Sequence, residues 1–266
     1  MSNKHRWRLG VMVLGAWLVT TPALAAQRAA LIIGNSQYKG ISPLRNPVND
    51  AEDVSRKLKD LGFDTILIKN GSLDEMVRGL KSFQAKLEKN GTAVFYYAGH
   101  GVQVGGQNFL LPVTANLDDD DSLKRQAIML QDDVISRLAA SGARNKIVII
   151  DACRNNPFKS LTRAAERGLA RMDIESKTST VGLMMLFSAK PDQKAQDGDG
   201  RNSPFTQKLL EYLGEPGLTV PQLFSKLQKG VLDLTGQKQE VYHEGDMLAD
   251  FSFKPGAAAM VTATAV

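Results

Sequence analysis

Cys153 and His100 are the residues whose types and positions could form a nucleophile and its base. Cys153 is the single cysteine of the 266 residues, and it follows the apolar run 147–150 and the acid Asp151. His100 stands between two glycines after a second apolar run at 92–98. An imidazole near a thiol lowers the pKa of the thiol and can later protonate a leaving amine. This pair therefore indicates nucleophilic chemistry at a cysteine.

The elements that must position this pair alternate between strands and helices. Short apolar runs closed by polar residues predict buried strands, and apolar residues at helical spacing predict helices between them. This alternation predicts an α/β fold with a mainly parallel sheet. The carboxyl ends of parallel strands meet at one edge, so we expect His100 and Cys153 there, where ligands bind in such folds. The predicted strands are 28–33, 63–68, 92–98, 146–150, 181–187 and 248–253, and 103–111 is predicted to form a small hairpin.

Each residue of the pair also has a purely structural interpretation. A histidine at a strand end commonly caps or packs, and a cysteine after a buried strand commonly belongs to the core. Their joint placement at one edge favours catalysis. In that case Gly101 offers an unhindered backbone N–H, which with the N–H of Cys153 could bind a developing oxyanion.

The first 25 residues have the three parts of a secretory signal peptide. Three basic residues lie within positions 4–8, an apolar core spans 9–19, and Ala-Leu-Ala at 23–25 provides a small-x-small cleavage pattern. We therefore expect an exported protein, periplasmic or secreted, without a stable membrane anchor after cleavage. An uncleaved N-terminal anchor is the alternative. A single cysteine cannot form an internal disulfide, so an exported thiol is either buried or a working nucleophile.

Charge and motifs argue against several other classes of protein. The 33 basic and 28 acidic residues give a net charge of +5, which falls to about +2 without the three basic residues of the leader. No basic stripe alternates with aromatic residues, so nucleic-acid binding is not expected. Neither GxGxxG nor GKS/GKT follows the first strand, which leaves nucleotide binding supported only by the fold class. Histidine and cysteine spacing does not suggest zinc, and no cofactor is predicted to be required.

Two motifs resemble the histidine and cysteine boxes of caspase-like peptidases. They are Tyr-Tyr-Ala-Gly-His-Gly at 96–101 and Asp-Ala-Cys-Arg at 151–154, and His100 precedes Cys153 by 53 residues, a spacing typical of caspases. The resemblance covers about residues 28–255 and is closest to bacterial metacaspase-like (orthocaspase) proteins. Further similar segments lie at 30–35, 44–51, 187–189 and 203–206.

The resemblance implies a three-layer sandwich, in which a mainly parallel six-stranded sheet carries helices on both faces. It also implies one peptidase domain over 26–255 and an unstructured tail at 256–266. The large-subunit-like part would extend to about residue 160 and the small-subunit-like part over 181–255. The implied activity is a cysteine endopeptidase acting on peptide or protein substrates, with His100 as general base and acid and Cys153 as nucleophile.

The resemblance also implies a substrate S1 pocket built from Asp50, Asp151, Arg45 and Ser188. Two carboxylates in a pocket select a cationic P1 side chain, Arg or Lys. Arg45 lies where caspases place a pocket arginine, so an acidic P1 is the alternative. The oligomeric state is not predicted.

Two departures from the family pattern leave a second alternative open. Asp151 stands where caspases have glutamine, and Arg-Asn-Asn-Pro at 154–157 replaces the His-Ser-Gly that typically follows the metacaspase cysteine. Altered pocket loops could leave the pair of residues unused. A caspase-fold pseudo-enzyme that acts as a binding or scaffold protein is therefore the alternative to a peptidase.

A basic stretch at 159–177 separates the two subunit-like parts. If the enzyme cleaves after Arg or Lys, it could process itself in this stretch. A solvated basic loop that is never cleaved is the alternative. The candidate self-cleavage residues are Arg163, Arg167, Arg171 and Lys177.

Three acids resemble the calcium site that activates some metacaspases. They are Asp118, Asp132 and Asp133. Acids before a helix are also ordinary N-terminal caps, so the spacing alone leaves calcium binding and helix capping both open.

Overall fold

The computed structural model describes residues 27–104, 107–116, 120–153, 182–190, 195–247 and 251–256. Of residues 120, 121 and 153 it describes the backbone alone. The predicted signal peptide, the basic stretch with its four candidate cleavage residues, Asp118 and the tail beyond residue 256 lie outside these ranges. Within them, no helix is long and apolar enough to cross a membrane.

The strands and helices alternate along most of the chain. The strands are β1 (Arg28–Gly34), β2 (Asp64–Lys69), β3 (Thr92–Val104), β4 (Gln107–Leu110), β5 (Ile128–Met129), β6 (Asn145–Cys153), β7 (Leu183–Phe187) and β8 (Tyr242–Asp246). The helices are α1 (Pro47–Asp60), α2 (Leu73–Ala85), α3 (Asp120–Gln126), α4 (Ser136–Ala140, which continues a π-helix at Leu130–Ile135), α5 (Pro204–Leu213) and α6 (Val220–Leu234).

The main sheet has the strand order β2-β1-β3-β6-β7-β8. The first five strands of this order are parallel, and β8 closes one edge antiparallel to β7. The second half of β3 pairs antiparallel with β4, which in turn pairs with β5. The order reverses around β1 and β3, so the connections after these strands diverge and leave a crevice at their carboxyl ends. The prediction of a mainly parallel six-stranded sheet is confirmed.

Helices cover both faces of this sheet. Successive strand residues point to opposite faces, so Phe95 and Tyr97 pack with α2 and the segment of α4, whereas Val94 and Tyr96 pack with α1, α5 and α6. These side chains are fully buried, and the strands accordingly read as continuous apolar runs. The predicted three-layer α/β sandwich is confirmed. In β6 the same alternation places Asp151 on the face covered by α1 and α5, together with Ile147 and Ile149.

The structure corrects two of the predicted strands. β3 does not end before His100 but continues to Val104, because residues 101–104 find a new antiparallel partner in β4. The last strand described in the sheet is β8, which lies before the predicted strand 248–253. Residues 248–250 lie outside the described ranges, and Ser252 forms only an isolated bridge with Thr219. The sequence of β8, Tyr-His-Glu-Gly-Asp, has a weak strand signal because much of this edge strand is exposed to water.

The start of α2 provides a test of local stability. Ser72 caps the helix: its hydroxyl accepts a hydrogen bond from the Glu75 N–H (3.4 Å), and the Glu75 carboxylate accepts one from the Ser72 N–H (2.8 Å). We expect Ser72→Ala to lower the free energy of unfolding by about 1 kcal/mol. Urea unfolding measures this, and Ser225→Ala, an exposed serine inside α6, is the control with less than about 0.5 kcal/mol expected. Equal effects of the two variants would contradict the capping role.

Candidate active site

His100 and Cys153 lie on neighbouring strands at the carboxyl edge of the sheet. They are direct partners in the parallel register of β3 and β6, and hydrogen-bonded strands run about 4.8 Å apart. β6 ends at Cys153. The Cys153 side chain lies outside the described part of the structure. The backbone therefore brings the two residues together as predicted, although His100 sits within a continuing strand.

The His100 ring is buried, and its surroundings define its protonation. Nε2 lies 2.9 Å from the Ser42 carbonyl oxygen, which can only accept, so we assign the proton to Nε2. Nδ1 is buried and has no hydrogen-bond partner among the residues described. Burial lowers the pKa of His100, an effect opposed by Ser42 and Asp197. The ring is therefore a neutral imidazole at neutral pH with a lone pair on Nδ1, which is the form a general base requires.

Two tyrosines fix the backbone that carries this ring. The His100 N–H donates to the Tyr38 hydroxyl (2.8 Å), and the Tyr97 hydroxyl donates to the His100 carbonyl (2.7 Å). The Tyr38 ring also packs on the imidazole, with centroids 4.6 Å apart. A Cβ at Gly99 would lie 2.5 Å from the Tyr38 hydroxyl and 2.6 Å from the Tyr97 hydroxyl. Glycine precedes His100 because the tyrosines occupy that space.

The N–H of Gly101 is directed towards β6. The Ala98 carbonyl accepts from the Asn35 N–H (2.9 Å), and the His100 carbonyl accepts from the Leu111 N–H (3.1 Å). The backbone groups of residues 98 and 100 therefore face the side of β1 and β4. Backbone groups alternate sides along a strand, so those of Gly101 face the strand that ends at Cys153.

Asp50 and Asp151 meet at the N-terminus of α5. Ser203 is the N-cap of this helix and contacts both acids: its N–H donates to Asp50 Oδ1 (3.1 Å), and its hydroxyl donates to Asp151 Oδ2 (2.5 Å). The Thr206 hydroxyl also donates to Asp151 Oδ2 (2.9 Å) and accepts from the Tyr96 hydroxyl (2.6 Å). Donors and the positive end of the helix dipole thus stabilise negative charge at this point.

Burial and mutual repulsion keep this pair of acids from being fully ionised. Burial, followed by the charge of Asp151, raises the pKa of Asp50 to about 8. Burial likewise raises the pKa of Asp151, while hydrogen bonds from Ser203 and Thr206 oppose the shift. Two carboxyl groups in one dry site titrate as a coupled pair. At neutral pH the pair therefore retains a proton.

These acids line a narrow cleft to which a third carboxylate contributes. Asp197 lies in the loop before α5 and accepts hydrogen bonds from the backbone N–H groups of Arg45 (2.6 Å) and Asn46 (3.2 Å). The sequence shows this segment only as a loop rich in Gly and Asp, and nothing in its spacing indicated a pocket residue. The cavity volume of the cleft is about 10 Å³, room for one water molecule at most. The lining residues are Leu44, Pro47, Asp50, Gly99, Asp151, Gln196, Asp197 and Ser203.

The other two residues predicted for the pocket have different positions. The Arg45 side chain is exposed at the start of α1, although its backbone joins the rim of the cleft through Asp197. Ser188 is buried just after β7, and its side chain lowers the pKa of Asp151. Its Oγ nevertheless lies outside hydrogen-bond geometry to any residue described. The structure therefore brings Asp50, Asp151 and Ser188 together.

The remaining acids of the predicted calcium site lie in a helical turn. Asp133 Oδ2 accepts a hydrogen bond from the Met129 N–H (2.8 Å), which is the contact of a residue capping the π-helix. Among the residues described, no three His, Cys, Asp or Glu side chains are grouped to hold a metal ion. Asp118 lies outside that part of the chain, so calcium binding stays a prediction.

The fold and the edge that carries His100 and Cys153 define a caspase-like α/β peptidase domain. The profile of the Peptidase C14 family, the caspase domain, matches residues 27–252. The chain therefore belongs to the caspase family. In fold it is similar to the crystal structure of caspase-1 from Spodoptera frugiperda, with a TM-score of 0.63, 15% identity, and coverage of 94% of this chain and 99% of that one.

The curated proteins that are similar in sequence are longer than this chain. Caspase-1 of Mus musculus is 27% identical over 201 residues, which cover 71% of this chain and 49% of that protein. Mucosa-associated lymphoid tissue lymphoma translocation protein 1 of Homo sapiens is 25% identical over 135 residues, covering 51% of this chain and 16% of that protein. The chain thus spans half or less of the length of these relatives. The similarity to bacterial orthocaspases stays a prediction.

Gly99 should tolerate no larger side chain. We expect Gly99→Ala to lower the free energy of unfolding by about 2 kcal/mol, because its methyl group would overlap two buried hydroxyls. Gly200→Ala is the control, since a Cβ there meets no atom closer than 3.9 Å, and its expected effect is below about 0.5 kcal/mol. Thermal or urea unfolding of both variants measures the difference. A Gly99→Ala protein as stable as the control would contradict the close packing around His100.

The acid pair should make stability depend on pH. The pKa of Asp50 rises from 3.8 to about 8 on folding, so the unfolded chain releases a proton that the folded protein retains. The pair therefore destabilises the protein increasingly from about pH 4 to pH 8. We expect Asp50→Asn to remove most of this decline and to be more stable than wild type at pH 8 by more than about 1 kcal/mol.

Urea unfolding at several pH values measures this effect. Asp60→Asn is the matched control, because Asp60 is an exposed acid at the end of the same helix. Stability curves of Asp50→Asn and wild type that stay parallel from pH 4 to pH 8 would contradict the shared proton.

Proposed function

We propose that this protein is a cysteine endopeptidase that cleaves after Arg or Lys, with His100 and Cys153 as its catalytic pair. The observation that carries the proposal is the convergence of three carboxylates, Asp50, Asp151 and Asp197, on one cleft at the edge where these two residues pair. Membership of the caspase family supports the reaction class. The acidic cleft supports the preference for Arg or Lys at P1.

The reaction follows from the protonation of His100. Nδ1 accepts the proton of the Cys153 thiol, and the thiolate attacks the carbonyl carbon of the scissile peptide, forming a C–S bond and an oxyanion. When the intermediate collapses, the C–N bond breaks and the imidazolium gives its proton to the leaving amine. Water, deprotonated by the same ring, then hydrolyses the thioester and regenerates the thiol.

The N–H of Gly101 is the group best placed to stabilise the oxyanion. It faces the β6 side, and the N–H of Cys153 would be its partner donor. Backbone donors held by a sheet need no reorganisation during the reaction, which makes them effective at developing charge. Gly101 is buried in the β3–β4 pair, so this donor is fixed in place.

A cationic P1 side chain complements the cleft because it can replace the proton that the acids share. A guanidinium offers five donors in a rigid fork and suits several carboxylates, and an ammonium suits them as a point charge. An acidic P1 would add a fourth acid, and a further negative charge, to a buried site that already retains a proton. Arg45 does not offset this, since its side chain is exposed. The cleft supports a basic P1.

Export, self-processing and calcium binding extend this proposal. The signal-like residues 1–25 support export to the periplasm or beyond, where peptide and protein substrates would be met. A basic P1 preference supports self-cleavage at Arg163, Arg167, Arg171 or Lys177. Calcium binding would rest on Asp118, Asp132 and Asp133.

A panel of fluorogenic peptides that differ only at P1 tests the proposal. We expect the protein without residues 1–25 to cleave peptides with Arg or Lys at P1 at least about 100-fold faster than peptides with Asp, because a buried unpaired charge costs several kcal/mol. Cys153→Ala should abolish all cleavage, and Cys153→Ser serves as a second control for retained fold. The assay is run with and without Ca²⁺.

Two outcomes would contradict the proposal. Cleavage after Asp would overturn the basic P1 preference. No turnover of any peptide, together with no reaction of Cys153 with a thiol-reactive peptide probe, would favour the pseudo-enzyme that binds proteins without cleaving them.

A further inference from the structure

The loop that forms one wall of the cleft is tied to α1 by an ion pair outside the cleft. Arg201 Nε donates to Asp53 Oδ2 (2.7 Å), and its Nη2 donates to Asp53 Oδ1 (3.0 Å), so the contact is bidentate. The neighbouring Asn202 Nδ2 donates to the same carboxylate (3.1 Å). Three donors from one loop thus converge on a single acid of α1.

We propose that Asp53 and Arg201 are positioning residues that hold the 195–203 segment in the geometry that binds a cationic P1 side chain. The proposal rests on the proposed function, because it assigns these residues to substrate binding at the same cleft. Neither residue lines the cleft, so they act through residues that do.

The contacts of the segment show what the pair controls. Asp197 and Ser203, which contribute to the cleft, lie four and two residues from Arg201. Asp50 precedes Asp53 by one turn of α1, so the two acids share a face of the helix. Asn202 contacts both of them, because it donates to Asp53 and its side chain also lowers the pKa of Asp50. The pair therefore contributes, with the contact between Ser203 and Asp50, to holding the acids of α1 next to the loop.

The other end of the segment has its own anchor. Gln239 is fully buried; its Oε1 accepts from the Gln196 N–H (2.9 Å), and its Nε2 donates to the Ser188 carbonyl (2.8 Å). The segment is thus fixed at its start through the core, at Asp197 by the backbone of residues 45 and 46, and at its end through α1. The contact between Arg201 and Asp53 is the anchor that ties the segment to α1 from outside the cleft.

The geometry distinguishes this pair from an ordinary surface ion pair. The Asp53 side chain is only 10% exposed, although that of Arg201 is 54% exposed. Exposed single pairs contribute little, whereas bidentate contacts to a partly buried acid are specific in direction. Arg56 also contacts Asp53 (3.0 Å) but comes from α1 itself. It can neutralise Asp53 without holding the loop, which makes it a matched control.

A positioning role and simple electrostatics predict opposite effects of Arg201→Ala on the binding of a cationic P1 side chain. Removing a cation near three carboxylates would by itself strengthen the attraction of a cationic P1. Loss of the bidentate contact between Arg201 and Asp53 would instead let the 195–203 segment move and would weaken the binding of the P1 side chain. We expect KM for an Arg-P1 peptide to rise about fivefold to tenfold, with kcat within about twofold of wild type. Arg201→Lys keeps the charge but not the bidentate contact, so its KM should lie between those of wild type and Arg201→Ala.

The experiment combines peptide kinetics with hydrogen exchange of the same full-length variants. In Arg201→Ala, backbone amides of 195–203 should exchange faster than in wild type, and in Arg56→Ala both the exchange and KM should stay unchanged. A lower KM in Arg201→Ala, equal effects of Arg201→Ala and Arg56→Ala, or faster exchange without a change in KM would each overturn the positioning role. If the wild-type protein cleaves no peptide, the proposed function fails. Unchanged hydrogen exchange in Arg201→Ala would separately overturn the positioning role of Arg201 and Asp53.

Discussion

The burial of two carboxyl groups against one helix end is the constraint on which the rest of the site depends. Asp50 comes from α1 and Asp151 from β6, and Ser203 at the N-terminus of α5 donates to both. Burying two acids together is costly unless donors or a proton compensate. The sheet fixes Asp151, and α1 and α5 must pack on the same face of it to bring Asp50 and Ser203 to the same point.

This constraint links the catalytic edge to the pocket. Asp151 lies two residues before Cys153 in β6, and Gly99, which borders the cleft, directly precedes His100 in β3. In the proposed function, a P1 side chain that enters the cleft would therefore place its carbonyl group next to His100 and Cys153. The same proximity explains why Asp197 acts on both the acid pair and the pKa of His100. In the proposed function, binding of a cation and activation of the thiol would thus depend on one small region.

The sequence predicts the architecture well because the strands are short apolar runs and the helices have clear ends. The placement of His100, Cys153 and Asp151 at one edge follows from parallel strands alone, whereas that of Asp50 also needs α1 to pack on the sheet. The hairpin at 103–111 was predicted, but not that its first strand continues β3 through His100 without a break. The contribution of Asp197 to the cleft and the contact between Arg201 and Asp53 were not predicted. Both depend on loop contacts between residues more than a hundred positions apart, which leave no periodic signal in the sequence.

The central claim, a thiol at Cys153 next to a cleft for a cationic side chain, is tested most directly by covalent labelling. The protein is treated with two peptidyl chloromethyl ketones that differ only in Arg or Asp at P1, and the product is analysed by intact mass and peptide mapping. We expect one adduct, on Cys153, with the Arg reagent only, and slower labelling in Asp50→Asn. Equal labelling by both reagents, or labelling by the Asp reagent alone, would contradict the account.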